Sequence, residues 1–170
     1  MERDEAARLA ADLMARWGLE DWRFAFDHAV RRFGHCRFGD RTITLSRHLV
    51  ALNEVDLVRD TILHEIAHAL AGPRHGHDAV WRRTAVSVGA RPDRTFGDEV
   101  ASPPARWVGI CPGCGGRLER HRLLRRTRQL ACASCGRGRW QREFVYRWER
   151  PETATSQPPA TSTTIRSSTP

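Results

Sequence analysis

Along the first hundred residues the apolar positions change period several times, and each change marks an element. Between Glu2 and Trp17 they fall at Ala6, Leu9, Ala10, Leu13, Met14 and Trp17, one stripe of a 3.6-residue period, so an amphipathic helix opens the chain and Gly18 stops it. Trp22-Arg23-Phe24-Ala25-Phe26 alternates with a period of two, as a strand with one buried face should. The runs Phe33 to Phe38 and Arg41 to Leu45 flank Gly39-Asp40, which predicts a hairpin and a small antiparallel sheet. The helical period returns at Val55, Val58, Ile62, Ile66 and Ala69, with Asn53 placed to cap, Asp56 in the first turn and Gly72-Pro73 as the end. A further helix is predicted from Asp78 to Val88, stopped by Gly89, with Val80, Trp81, Thr84, Ala85 and Val88 inward.

From Arg91 to Pro104 the periodicity fades and Pro92, Pro103 and Pro104 appear, marking a linker or strapping loop. Strands are then expected at Trp107 to Ile110, Leu118 to Leu123, Arg128 to Ala131 and Trp140 to Trp148. After Arg150 the chain is Pro, Thr, Ser and Ala with Ile165 alone bulky, a composition that cannot bury enough apolar surface to order itself. The pattern therefore divides into an α+β domain over residues 1–102, a small β unit over 103–150 and a disordered tail over 151–170. No apolar run approaches the length of a membrane span. No apolar segment of a signal peptide follows Met1-Glu2-Arg3-Asp4, so a cytoplasmic location is expected.

The chemistry begins inside the central helix. His64-Glu65-Ile66-Ala67-His68 is the HExxH pattern of zinc hydrolases. On a helix, His64 and His68 lie one turn apart and converge on one ion, while Glu65 is turned aside towards the metal's water. Catalytic zinc takes three protein ligands and keeps a position for that water. His75 and His77 both qualify as the third ligand. A thermolysin-like Glu is missing, since Asp78 is the only acidic residue between Ala69 and Ala90, and the metzincin pattern fails because Ala71 and Arg74 occupy its Gly and His positions.

Cys111-Pro112-Gly113-Cys114 is followed, after seventeen residues, by Cys132-Ala133-Ser134-Cys135. Two such pairs at this separation predict a structural Cys₄ zinc site, each pair folding into a tight knuckle. The segment needs it, because about forty residues cannot bury much apolar surface without a metal or disulfides. Cys36, the remaining thiol, is expected to be a small buried hydrophobe. His28, His35 and His48 carry no ligand spacing.

With these motifs in place the sequence resembles the SprT-like family, which includes Spartan-type proteases. The family pattern is HExxH on a helix, a short loop, a third His in a Gly-His context and an aromatic residue four places on. Here that reads Gly76-His77-Asp78-Ala79-Val80-Trp81, so the resemblance assigns the third ligand to His77. Arg41-Thr42-Ile43-Thr44-Leu45-Ser46 likewise looks like the family's strand ahead of the active-site helix. The chain departs from the pattern in having Asp78-Ala79-Val80 where many members have Gly-Pro-Glu. The resemblance implies a zincin-like metallopeptidase domain followed by a zinc ribbon, and a substrate class of DNA-bound or DNA-crosslinked proteins.

Charge separates the two units. Residues 1–110 hold 16 Arg and 16 acidic residues, whereas residues 111–150 hold 11 Arg and 3 acidic. The whole net charge of +8 thus lies in the ribbon. Four thiolates and one zinc ion would leave roughly +6 there, a density suited to a polyanion such as DNA, single- or double-stranded. Arg122, Arg125, Arg126 and Arg128 are the expected contacts. Trp140, Phe144, Tyr146 and Trp148 alternate with polar residues, a ribbon core face in preference to a base-stacking surface.

The sequence thus points to a zinc endopeptidase with one catalytic and one structural zinc, a protein substrate and a nucleoid-associated setting. His64, His68 and His77 would hold the catalytic ion and Glu65 would act as the general base. A non-proteolytic nucleic-acid-binding adaptor is the alternative, opposed by Glu65, which a structural zinc site does not need.

Overall fold

A computed structural model of the 170-residue chain describes residues 1–93 and 100–151. Its contacts divide it into two units, Met1–Pro104 and Ala105–Pro170.

The first unit is α+β. Helix α1 (Arg3–Arg16) buries Ala6, Ala10, Leu13 and Met14 against α3. Strands β1 (Arg23–Asp27), β2 (Gly34–Arg37) and β3 (Thr42–Ser46) form a sheet in the order β1-β3-β2. The β2–β3 hairpin is antiparallel as expected, but β1 runs parallel to β3, so the sheet is mixed and not purely antiparallel. The alternation in β1 reports which face is buried and carries no information on strand direction. In the hairpin connection the left-handed residue is Arg41, with φ 46°, and neither Gly39 nor Asp40.

Central strand β3 is buried along its whole length. Ile43 and Leu45 join the core on one face. The hydroxyls of the alternate residues are satisfied locally: Thr44 donates to Asp27 at 2.9 Å, Thr42 to the Asp40 carbonyl at 3.0 Å and Ser46 to the Ala29 carbonyl. Ser46 also caps a short helix that the sequence pattern did not reveal, α2 (Arg47–Leu52), by accepting from the Leu49 amide at 3.2 Å. Six residues are too few for a helical period to show.

Helix α3 (Val55–Ala71) is the spine of the unit and buries Val58, Ile62, Leu63, Ile66 and Ala67. Val55, expected inward, is exposed. Its N-cap is Glu54 and not Asn53. Asn53 instead ends α2, donating to the Leu49 carbonyl at 2.7 Å and the Ala101 carbonyl at 2.8 Å, and accepting from the Ala101 amide at 2.8 Å. These bonds strap the segment after α4 (Ala79–Val88) back onto the unit. Arg91 ties the other end of that segment to Asp60 through its amide and Nε, at 2.9 and 2.8 Å. Of the expected linker, residues 94–99 lie outside the described residues, as does the Ser/Thr/Pro-rich tail from residue 152 onward.

The second unit is a three-stranded antiparallel sheet in the order β5-β4-β6, built from β4 (Trp107–Ile110), β5 (Arg117–Arg120) and β6 (Arg147–Glu149). Two expected strands are corrected. Arg128 to Ala131 is not a strand: α5 (Arg125–Arg128) occupies its start, and only Ala131 makes a bridge, to Val145. Arg is a good helix former, Gln129 and Leu130 lie in neither the helix nor a strand, and beyond the Ala131 bridge the run has no ladder partner among the described residues. Of Trp140 to Trp148, only the end joins the sheet, because a tight turn at Arg142–Phe144 breaks the run.

Candidate metal centres

Two sets of side chains gather their ligand atoms within 4.8 Å: His64, His68 and His77 in the first unit, and Cys111, Cys114, Cys132 and Cys135 in the second.

Helix α3 supplies His64 and His68 one turn apart, and the loop after Gly72 brings His77 to them. The His77 Nε2 lies 3.1 Å from the His64 Nε2 and 3.2 Å from the His68 Nε2. Three imidazole nitrogens at Zn–N distances of about 2.0–2.1 Å on a tetrahedron would stand about 3.3–3.4 Å apart. The donor set, its spacing and its all-imidazole chemistry therefore fit a zinc ion with one position left for water. Burial and the neighbouring imidazoles hold His64 at about 4, and burial followed by His77 holds His68 at about 4. Both rings are thus neutral and ready to ligate near pH 7.

The loop is fixed from outside. Asp78 caps α4 by accepting from the Val80 and Trp81 amides, both at 3.0 Å. Its other oxygen takes the His75 Nδ1 at 2.8 Å. His75 is thereby engaged with Asp78, and the His68 Nε2 faces the cluster. Beneath the three imidazoles lies Trp81, fully buried, with its ring 4.7, 5.1 and 4.5 Å from those of His64, His68 and His77. Helical spacing indicated that Trp81 is core; that it is the floor of the histidine cluster required the third dimension.

Glu65, next to His64 in sequence, is buried, 6% exposed. Burial pushes its carboxyl up to about 8, although the Cys36 amide and Arg32 favour the anion. Cys36 is buried as expected, its thiol pushed up to about 12 by burial and by Glu65. His28 and His48 stack edge-on at 6.2 Å, and neither they nor His35 belong to a metal-competent group.

In the second unit each CxxC forms a turn closed by backbone bonds: Gly115 donates to Cys111, and Gly136 to Cys132, both at 2.9 Å. A Cβ on Gly136 would meet the Arg139 carbonyl at 2.2 Å, so only glycine fits this knuckle. The Sγ atoms of Cys111 and Cys135 are 3.7 Å apart and those of Cys114 and Cys132 3.8 Å apart. Four thiolates on a tetrahedron around zinc would stand about 3.8 Å apart. Bonding to the Cys135 amide lowers Cys132 to about 6, while hydrogen bonding with Cys114 and the other thiols raises Cys135 to about 12.

Of the four aromatic residues of the expected core face, Phe144, Tyr146 and Trp148 are half-buried, the last two with ring centroids 6.1 Å apart, and Trp140 departs from it. Trp148 lies on Gly109, whose Cβ would meet its ring at 3.0 Å, and Phe144 lies on Gly113. Trp140 is 62% exposed, with its indole N–H donated to the Gln129 carbonyl at 2.8 Å. Arg122, Arg125, Arg126 and Arg128 are all exposed, and no ion pair among the described residues engages them.

The SprT-like family model matches residues 7–100, more than half of the chain and the whole of the HExxH helix, the loop and His77. The chain belongs to the SprT-like family. No curated protein and no solved structure matches this SprT-like chain significantly. Family membership is consistent with a metallopeptidase-type function and with zinc binding, and the two ligand clusters are compatible with zinc. The cysteine cluster lies beyond the matched residues. No helix among the described residues is long and apolar enough to cross a membrane.

Proposed function

We propose that this SprT-like chain is a zinc-dependent endopeptidase acting on DNA-bound or DNA-crosslinked proteins, its ribbon binding nucleic acid. The carrying observation is the convergence of three imidazoles at tetrahedral spacing with one buried carboxyl group next to them in sequence.

In this reading His64, His68 and His77 hold the catalytic ion and the four cysteines hold a structural one. Zinc at the first site would supply an acidified water and a polarised scissile carbonyl. Glu65 takes the water's proton and delivers it to the leaving amine. A cation beside Glu65 favours its carboxylate, which readies it as a base at neutral pH. Trp81 and the Asp78–His75 pair hold the imidazoles in place. The ribbon contributes a substrate-recruiting surface, for which its excess of Arg over acid is the support. A cytoplasmic, nucleoid-associated setting follows from that partner.

Glu65→Gln tests the assignment. It should abolish cleavage of both a flexible peptide and a DNA-bound protein while leaving zinc content and DNA binding intact. Cleavage that survives the change would remove Glu65 from the mechanism. A wild-type protein that binds DNA and zinc but cleaves nothing would make the chain an adaptor.

A further inference from the structure

We propose that Gly34 is a positioning residue for the general base: the bare backbone of β2 at Gly34 is the seat on which the Glu65 side chain rests. The inference deepens the endopeptidase reading and rests on it for the role of Glu65.

The seat follows from strand geometry. The Ser46 amide donates to the Phe33 carbonyl, and Gly34 and Cys36 stand opposite Leu45 and Ile43. In an antiparallel ladder bonded pairs alternate with unbonded ones, so Gly34 and Cys36 turn their N–H and C=O groups away from β3. The sheet order β1-β3-β2 leaves that side without a strand. Helix α3 packs against β2 and brings Glu65 to Gly34.

Gly34 makes room for this arrangement. A Cβ there would stand 2.5 Å from the Glu65 Oε1, 2.7 Å from its Cγ and 2.9 Å from its Cδ. All three atoms belong to one side chain, so a methyl group at position 34 would displace Glu65 in particular. The Gly34 φ lies outside the left-handed region, so the backbone itself does not call for glycine. The need is for space. A shift of about 1 Å in a reacting group can cost on the order of 10²-fold in rate.

Two measurements on the full-length, zinc-loaded protein test the proposal. In the first, Gly34→Ala, Glu65→Ala and the double variant are compared by thermal unfolding. Gly34→Ala should lower Tm in the wild-type background and have little effect once Glu65 is truncated, because the new methyl then enters vacated space. An equal drop in both backgrounds would overturn the seat, as would a double variant that fails to fold while Glu65→Ala folds. In the second, Gly34→Ala should reduce kcat on a flexible peptide by on the order of 10²-fold, with KM and zinc content held. Gly39→Ala, whose Cβ meets nothing within 4 Å, should keep the wild-type rate. Wild-type kcat in Gly34→Ala, or a loss that tracks loss of zinc, refutes the positioning role. Absence of peptide cleavage by the wild type would overturn the endopeptidase reading and the kinetic role with it. The unfolding comparison uses no substrate and so separates that failure from failure of the seat.

Discussion

Stripping the metal from this protein should expose a pH dependence that belongs to one residue, and Glu65→Gln isolates it. Burial raises the Glu65 carboxyl from 4.5 to about 8. A group whose pKa is higher folded than unfolded makes the folded state bind more protons between the two values. Its stabilising contribution is therefore complete below about pH 4.5 and is lost as pH rises through about 8. At about 1.4 kcal/mol per tenfold, that displacement is worth at most on the order of 5 kcal/mol, a large part of the roughly 5–15 kcal/mol that holds a domain folded. His64 and His68, lowered to about 4 chiefly by burial, act in the opposite sense: their contribution rises between about pH 4 and 6.5. Comparing wild type with Glu65→Gln cancels these histidines and the ribbon. The assay is urea unfolding of both metal-free proteins at several pH values from 4.5 to 8.5. The difference should move steadily in favour of Glu65→Gln as pH rises, and added zinc should shrink the trend, because a cation favours the carboxylate. A constant difference would mean that Glu65 is already ionised in the metal-free fold, and the argument from burial would fail.

Elemental analysis should find two zinc ions per chain, with His77→Ala losing one and Cys132→Ser the other; a single ion, or His75→Ala releasing zinc in place of His77→Ala, would overturn the ligand assignment. Trp81→Ala should destabilise the first unit by about 3–5 kcal/mol and weaken zinc binding at the histidines, whereas Trp81→Phe should retain most of both. Unchanged zinc affinity in Trp81→Ala, measured by competition with a chelator, would reduce Trp81 to ordinary core. DNA affinity should fall with salt at a log–log slope of roughly −3 to −4, as about four phosphate contacts imply. Replacing Arg122, Arg125 and Arg126 together by Ala should flatten that slope without altering peptide cleavage, and an unchanged slope would show the arginines to be a solvated surface.

What the sequence determined by itself is local. The helical period that carries His64, Glu65 and His68, the stop at Gly72, the helix beginning at Asp78 and each CxxC pair are features whose residues stand a few positions apart, and their spacing states their geometry directly. Beyond that range the pattern loses its hold. His75 and His77 are equivalent by spacing, and only the path of the loop brings the His77 Nε2 to the other two and gives His75 to Asp78. Strand β1 alternates whether its partner runs parallel or antiparallel, so its parallel pairing with β3 is invisible in the residues themselves. Trp140 and Trp148 sit at even spacing on an apparent strand, yet a turn at Arg142–Phe144 leaves one exposed and lays the other on Gly109. The contact between Gly34 and Glu65 joins positions thirty-one residues apart. A glycine records in sequence only that a side chain is missing; the carboxylate that fills the space comes from another element, and only the packing of α3 against β2 brings the two together.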